Sequence, residues 1–265
     1  MTLRVCIIGN SHVAALREAW LQEPGRWSGF SATFLGAHQD LLLQTEVRDG
    51  RLIATTDAAA QTFQKISGVT EIELDAHDVF VIAGSSVAQA TALQIYRDAR
   101  WVSLPSLASV SDLATMPEQL ISRAAAQATM RAALSTRLGP RLAQRLRGGT
   151  RRRIFLTAQP RVSEIILKSP RPVTRLHNIA IKNGDAAALG QAFEDAAVQV
   201  LAQSDTIFLP QPGQTVAHHV LTAQSYVKGA NRLAASLDVP QTKDDIIHAN
   251  GAYGALVLDQ IAAAL

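Results

Sequence analysis

Five short apolar runs, each closed by a glycine or proline turn, constrain this chain more than any other feature of it. Leu3–Ile8 stops at Gly9, Ser31–Leu35 at Gly36 and Val79–Ala83 at Gly84; Ile154–Thr157 leads to Gln159-Pro160, and Thr206–Leu209 to Pro210. Runs this short and this rich in β-branched residues read as strands. Their apolar character is continuous rather than alternating, which implies burial on both faces, the habit of a parallel sheet. Helical periodicity lies between them. Val13, Leu16 and Trp20 recur at three and four before Glu23-Pro24-Gly25, and Ala186–Ala202 carries Leu189, Phe193, Val200 and Leu201. The last segment sets Tyr253, Leu256, Val257 and Ile261 on one face.

Strands alternating with helices predict a doubly wound α/β fold, three layers deep (α/β/α), with a five-stranded parallel sheet in flavodoxin-like order. A chain of 265 residues suits one such domain, spanning 1–265. Residues 86–152 break the alternation. They hold no strand-like run, only helical patterns at Pro117–Arg137 and Arg141–Leu146, separated by Gly139-Pro140. Proline cannot continue the first helix but fits the first turn of the second. This helical insertion after the third strand reads as a surface excursion or as a cap over the sheet's ligand edge.

Composition narrows the function classes. With 48% hydrophobic and 18% charged residues the chain is globular rather than disordered. The lone Cys6 excludes an internal disulfide framework and a cysteine-based zinc site, and its mid-strand position fits a packed small hydrophobe. No apolar run approaches the ~20 residues of a membrane helix, and the N-terminus lacks signal-peptide architecture. A cytoplasmic location with no membrane partner is expected. The net charge of +3 is small, although arginines cluster between Arg131 and Arg153. No aromatic residues interleave with them, so a solvated helix face ending in an exposed turn at Gly148-Gly149 is preferred to a nucleic-acid surface.

The chemistry-bearing residues stand at the two ends. Val5 to Ile8 runs through Gly9-Asn10-Ser11-His12 into a helix, which places Ser11 at the carboxyl edge of the sheet. Helix N-terminal amides there favour a developing negative charge. Before the final helix comes Asp245-Ile246-Ile247-His248. A carboxylate three residues before an imidazole can reach back across one turn, fixing its tautomer and supporting its protonated form. A nucleophile, a base and an orienting acid are therefore available, far apart in sequence. Each piece alone has a plainer reading: Ser11 as a helix cap, Asp245–His248 as a surface turn.

Together, in this order, the blocks resemble the SGNH/GDSL hydrolase family. Gly9-Asn10-Ser11 stands where that family has Gly-Asp-Ser, and Asp245 with His248 matches its closing Asp-x-x-His, continued by Asn250 and Tyr253-Gly254. The resemblance implies Ser11 as nucleophile, His248 as general base and Asp245 as its orienter. It implies an oxyanion hole from the Ser11 N–H, from Gly36 after the second strand and from a third-block asparagine. That block falls at Gly84-Ser85-Ser86-Val87 and has no asparagine; the Ser86 hydroxyl or a backbone N–H is left as the donor.

The expected activity is hydrolysis of a carboxylic ester through an acyl-enzyme on Ser11, with a small-molecule or carbohydrate ester as substrate, including deacetylation of a carbohydrate. No metal or organic cofactor is required. An acyltransferase on the same triad and a non-catalytic binding module are the alternatives. His38, two residues after Gly36, is placed equally well in the pocket or in a plain loop. His218-His219 lack a third ligand for a metal, and Asp244 has the wrong spacing to His248. Gln211-Pro212 and Thr222 to Tyr226 are further candidates to shape the pocket.

Overall fold

The computed structural model describes residues 2–109, 118–168, 172–236 and 239–265. Strand β1 (Leu3–Gly9) enters helix α1 (Val13–Gln22) and returns as β2 (Phe30–Gly36). A short α2 (Gln39–Leu42) precedes the antiparallel hairpin β3 (Thr45–Arg48) and β4 (Arg51–Ala54), then α3 (Asp57–Ser67) and β5 (Glu71–Glu73), which pairs with β4. β6 (Val79–Ala83) leads to α4 (Ala90–Asp98), β7 (Ala99–Trp101), β8 (Gln119–Ile121), α5 (Arg123–Ser135) and α6 (Leu138–Gly149). β9 (Arg153–Thr157), α7 (Pro172–Lys182), α8 (Ala186–Ala202) and β10 (Thr206–Leu209) follow. The hairpin β11 (Val216–Ala217) and β12 (Leu221–Thr222) and the closing helix α9 (Gly251–Ala264) complete the chain.

The five apolar runs form one parallel sheet in the order β10-β9-β6-β1-β2. Counted among the parallel strands this is 2-1-3-4-5, the flavodoxin-like order, in a three-layer α/β/α arrangement. Successive side chains point to opposite faces, and both faces are covered. Cys6, Ile8, Phe80, Ile82, Ile154 and Leu156 face a core built with α4, α5, α6 and α8, whereas Val5, Ile7, Val79, Val81 and Phe155 face α1 and α9. Full burial of such side chains contributes about 1.5–3 kcal/mol each. Cys6 is wholly buried, and desolvation pushes its thiol far up. No described helix is long and apolar enough to cross a membrane.

Residues 86–152 differ from the sequence expectation. β7 and β8 form a short parallel ribbon there. The first helix starts at Arg123, behind Ser122, whose Oγ accepts the Ala125 N–H (3.0 Å); Pro117 lies outside the described residues. The second starts at Leu138, so Pro140 sits in its first turn, and Gly148-Gly149 form its last turn instead of following it. α5 packs on α8 while α6 crosses β6 and β9. These helices are a layer of the core, not a cap. Nor are all the arginines solvated: Arg145 Nη1 donates to Thr45 Oγ1 (2.7 Å), and Arg147 binds the carbonyls of Ser204 and Asp205.

Candidate active site

β1 ends at the carboxyl edge of the sheet and hands Asn10-Ser11-His12 into α1. Val13 N–H donates to Asn10 O (3.0 Å) and Ala14 N–H to Ser11 O (3.2 Å). The capping residue is His12, whose side chain makes no capping bond, and the Asn10 Oδ1 accepts the His12 N–H (3.3 Å). The Ser11 hydroxyl is thereby released from helix capping.

Across from it stands the loop before α9. Asp245 Oδ1 accepts the N–H groups of Ile247 (2.9 Å) and His248 (3.4 Å), an Asx turn, and Oδ2 accepts from His248 Nδ1 (2.6 Å). Nδ1–H bound to the carboxylate leaves Nε2 as the acceptor, and it lies 2.9 Å from Ser11 Oγ. Both side chains are largely shielded, with Asp245 10% and His248 18% exposed. The loop is braced from outside by Ser163 N–H on Ile246 O (2.8 Å). Its downstream end is fixed by Asn250, which caps α9 through Oδ1 on Tyr253 N–H and donates Nδ2 to Ser225 O and Lys228 O. α9 lies against α1 so closely that a Cβ on Gly254 would stand 2.0 Å from Ala15 O. Glycine at 254 is what lets the two chain ends meet.

The His12 ring stacks on His248, with centroids 5.3 Å apart. Burial pushes the His12 imidazole down to about 3, and the neighbouring His248 adds to the effect. His12 is thus a neutral ring packed against His248. Beside it, Gly84, Ser85 and Ser86 hold successive φ of 65°, 48° and 66°. A Cβ on Gly84 would approach His12 to 3.1 Å in addition to that strained backbone. For each serine the left-handed conformation costs about 1–2 kcal/mol. The turn is held by β9 and the chain beyond it: Gly84 N–H donates to Thr157 O and Oγ1, Gln159 N–H to Val87 O, and Ser86 N–H to Gln159 Oε1 (3.1 Å).

Asn10, Ser11, His12, His38, Ser86, Gln159 and Ile247 line one open cavity of about 250 Å³. Ser11, His248, Asp245, Ser86 and His38 are therefore brought to one place. Gly36 is not. Its N–H binds Ser67 Oγ (2.9 Å) and the Leu233 side chain covers its Cα, so the glycine expected in the oxyanion hole has its amide committed elsewhere. Asp244 lines another cavity with Lys243 and Val227, which Asp245 also borders, but only Asp245 bonds the His248 ring. Gln211 is a buried brace between Arg161 N–H and the hydroxyls of Thr215 and Thr222. His218 and His219 lie in the β11–β12 connection, and among the described residues no cluster of three or more His, Cys, Asp or Glu could hold a metal.

Gln159 and Ile247 are the lining residues that sequence reasoning missed. Gln159-Pro160 was legible as a turn after the fourth strand, and that position at the carboxyl edge was the available signal. The larger cavity beside Asp75 and Arg147–Arg152 lies at the opposite edge, before β6 and β9, away from Ser11. Compared with known proteins, the chain matches no family model, no curated protein and no solved structure.

Proposed function

We propose that the protein is a serine hydrolase of carboxylic esters. The observation that carries this reading is the unbroken chain from Asp245 Oδ2 through both ring nitrogens of His248 to Ser11 Oγ. Ser11 Oγ attacks the ester carbonyl carbon as its proton passes to His248 Nε2, and the imidazolium is stabilised by Asp245. Collapse of the tetrahedral intermediate breaks the bond to the alcohol, which takes the proton from His248. Water, deprotonated by the same nitrogen, then releases the acid and restores Ser11. The resemblance of the end blocks to SGNH hydrolases supports the same assignment, and the polar lining supports a carbohydrate-like alcohol.

The oxyanion donors are drawn from the Ser11 N–H and two amide side chains. Asn10 and Gln159 line the cavity with Ser11 and each accept a backbone N–H through the side-chain oxygen, of His12 and Ser86 respectively, while the Gln159 side chain also bonds the His12 ring; their NH2 groups are the donors assigned to the oxyanion. Gln159 thus takes the place of the absent third-block asparagine. A fluorophosphonate probe tests the reading: it should label Ser11, and the purified protein should hydrolyse p-nitrophenyl acetate. Absence of both would overturn it. Product formed only with an added acceptor alcohol would instead make the protein an acyltransferase.

A further inference from the structure

The cavity around Ser11 shares two of its lining residues with a neighbour. Gln159 and Ile247 line it and also line a more enclosed cavity of about 40 Å³, walled by Ala90, Leu93, Val162 and Val220. Arg161 borders this slot and, beyond it, an open polar cavity beside Glu194 and His219. Its guanidinium is 7% exposed and committed, Nε to Gln89 Oε1 and Nη2 to Glu194 Oε1 (3.2 Å). Gln89 and the buried His177 also line the slot, with Gln89 committed to Arg161 and to His219 O, so its walls combine apolar side chains with paired polar ones, and a paired, buried cation blocks the Arg161 end.

We infer that this slot holds the acyl group of the substrate and limits it to short, uncharged chains, acetyl to butyryl, while the open cavity around Ser11 itself takes the alcohol. The inference rests on the ester-hydrolase reading of Ser11. A site of ~10–15 Å³ accommodates one water, so 40 Å³ accommodates about three groups of that size, roughly the alkyl carbons of a butyryl chain. A longer chain must break the Arg161 pairs. The converse arrangement, alcohol in the slot, would set a sugar's hydroxyls against Leu93, Val162 and Val220, beside a Gln89 amide and an Arg161 guanidinium already bonded to their own partners, at a desolvation cost.

The test compares p-nitrophenyl acetate, butyrate and octanoate with wild type and two variants at exposed lining positions. Octanoate should be turned over at least about tenfold less efficiently than butyrate, the scale set by a methylene that a pocket cannot admit. Ala90→Leu, which fills the slot, should lower kcat/KM on butyrate by about tenfold and on acetate by less than about threefold. Ile247→Ala, which opens the mouth, should narrow the gap between butyrate and octanoate. Equal efficiency across the three esters, with Ser11 labelled by a fluorophosphonate, overturns the slot and leaves the hydrolase standing. So does Ala90→Leu scaling every chain length alike. No turnover and no labelling overturn the hydrolase and the slot with it.

Discussion

The loop before α9 and the turn after β6 both border Ser11, and they are built on opposite plans. The loop is a local unit: Asp245 binds two backbone amides and the ring of His248 within three residues, so its geometry travels with its sequence. The turn is held from a distance. Its left-handed serines persist because Thr157 and Gln159, 73 residues further on, accept their amides or those of Gly84. The pocket is therefore bordered on one side by a self-contained segment and on another by strained backbone that only neighbouring strands keep in place.

The comparison breaks most visibly at the nucleophile. Ser11→Ala should remove ester hydrolysis, with a loss on the order of 10⁴-fold or more in kcat, and unchanged circular dichroism would show the fold intact. Turnover at the wild-type rate would detach both regions from catalysis. Next in size is the loop. Asp245→Asn should lower kcat by about 10²–10⁴, because the charge that supports the imidazolium is gone, whereas Asp244→Asn should stay within about threefold, or 0.7 kcal/mol. The reverse order would mean that the wrong carboxylate has been assigned to His248.

The turn should respond less. Gln159→Glu keeps an oxygen for the Ser86 N–H but removes the donor, and kcat should fall by about 10²-fold with KM within a few-fold, the mark of an oxyanion donor. A loss confined to KM would place Gln159 in ground-state binding instead.

The smallest effect is thermodynamic and belongs to His12, where the two regions touch. Its folded value of about 3 lies below the unfolded value of 6.5, so the unfolded chain binds a proton that the folded one refuses. Nothing is lost above pH 6.5, and stability declines as pH falls from there toward 3, by about 1.4 kcal/mol per pH unit. Urea unfolding of wild type against His12→Phe should show the variant gaining about 2 kcal/mol relative to wild type between pH 7 and pH 5. A difference independent of pH would mean that His12 is not held neutral.

Much of the molecule was legible because its information is local. The parallel strands announce themselves as apolar runs at Leu3, Val79 and Ile154, since burial on both faces leaves no polar positions. Less regular elements were harder. The hairpin β3–β4 turns on Asp49-Gly50, a type of two-residue hairpin signal, yet its strands carry Glu46, Arg48 and Arg51 and lack an apolar face strong enough to stand out. β7 and β8 are three residues each and owe their pairing to the chain around them.

For the site the division is the same. The sequence by itself determined the Asp245–His248 unit and the exit of Ser11 from a strand into a helix, because i to i+3 reach and strand-to-helix turns are properties of a few consecutive residues. Only the tertiary structure decided that these units meet across 237 residues, through the close approach of α1 and α9 at Gly254. Only it committed the Gly36 amide to Ser67 and brought Gln159 to Ser86. Those outcomes depend on which side chains fill the space between elements. Close packing settles that for the whole chain at once, and no short window of sequence contains it.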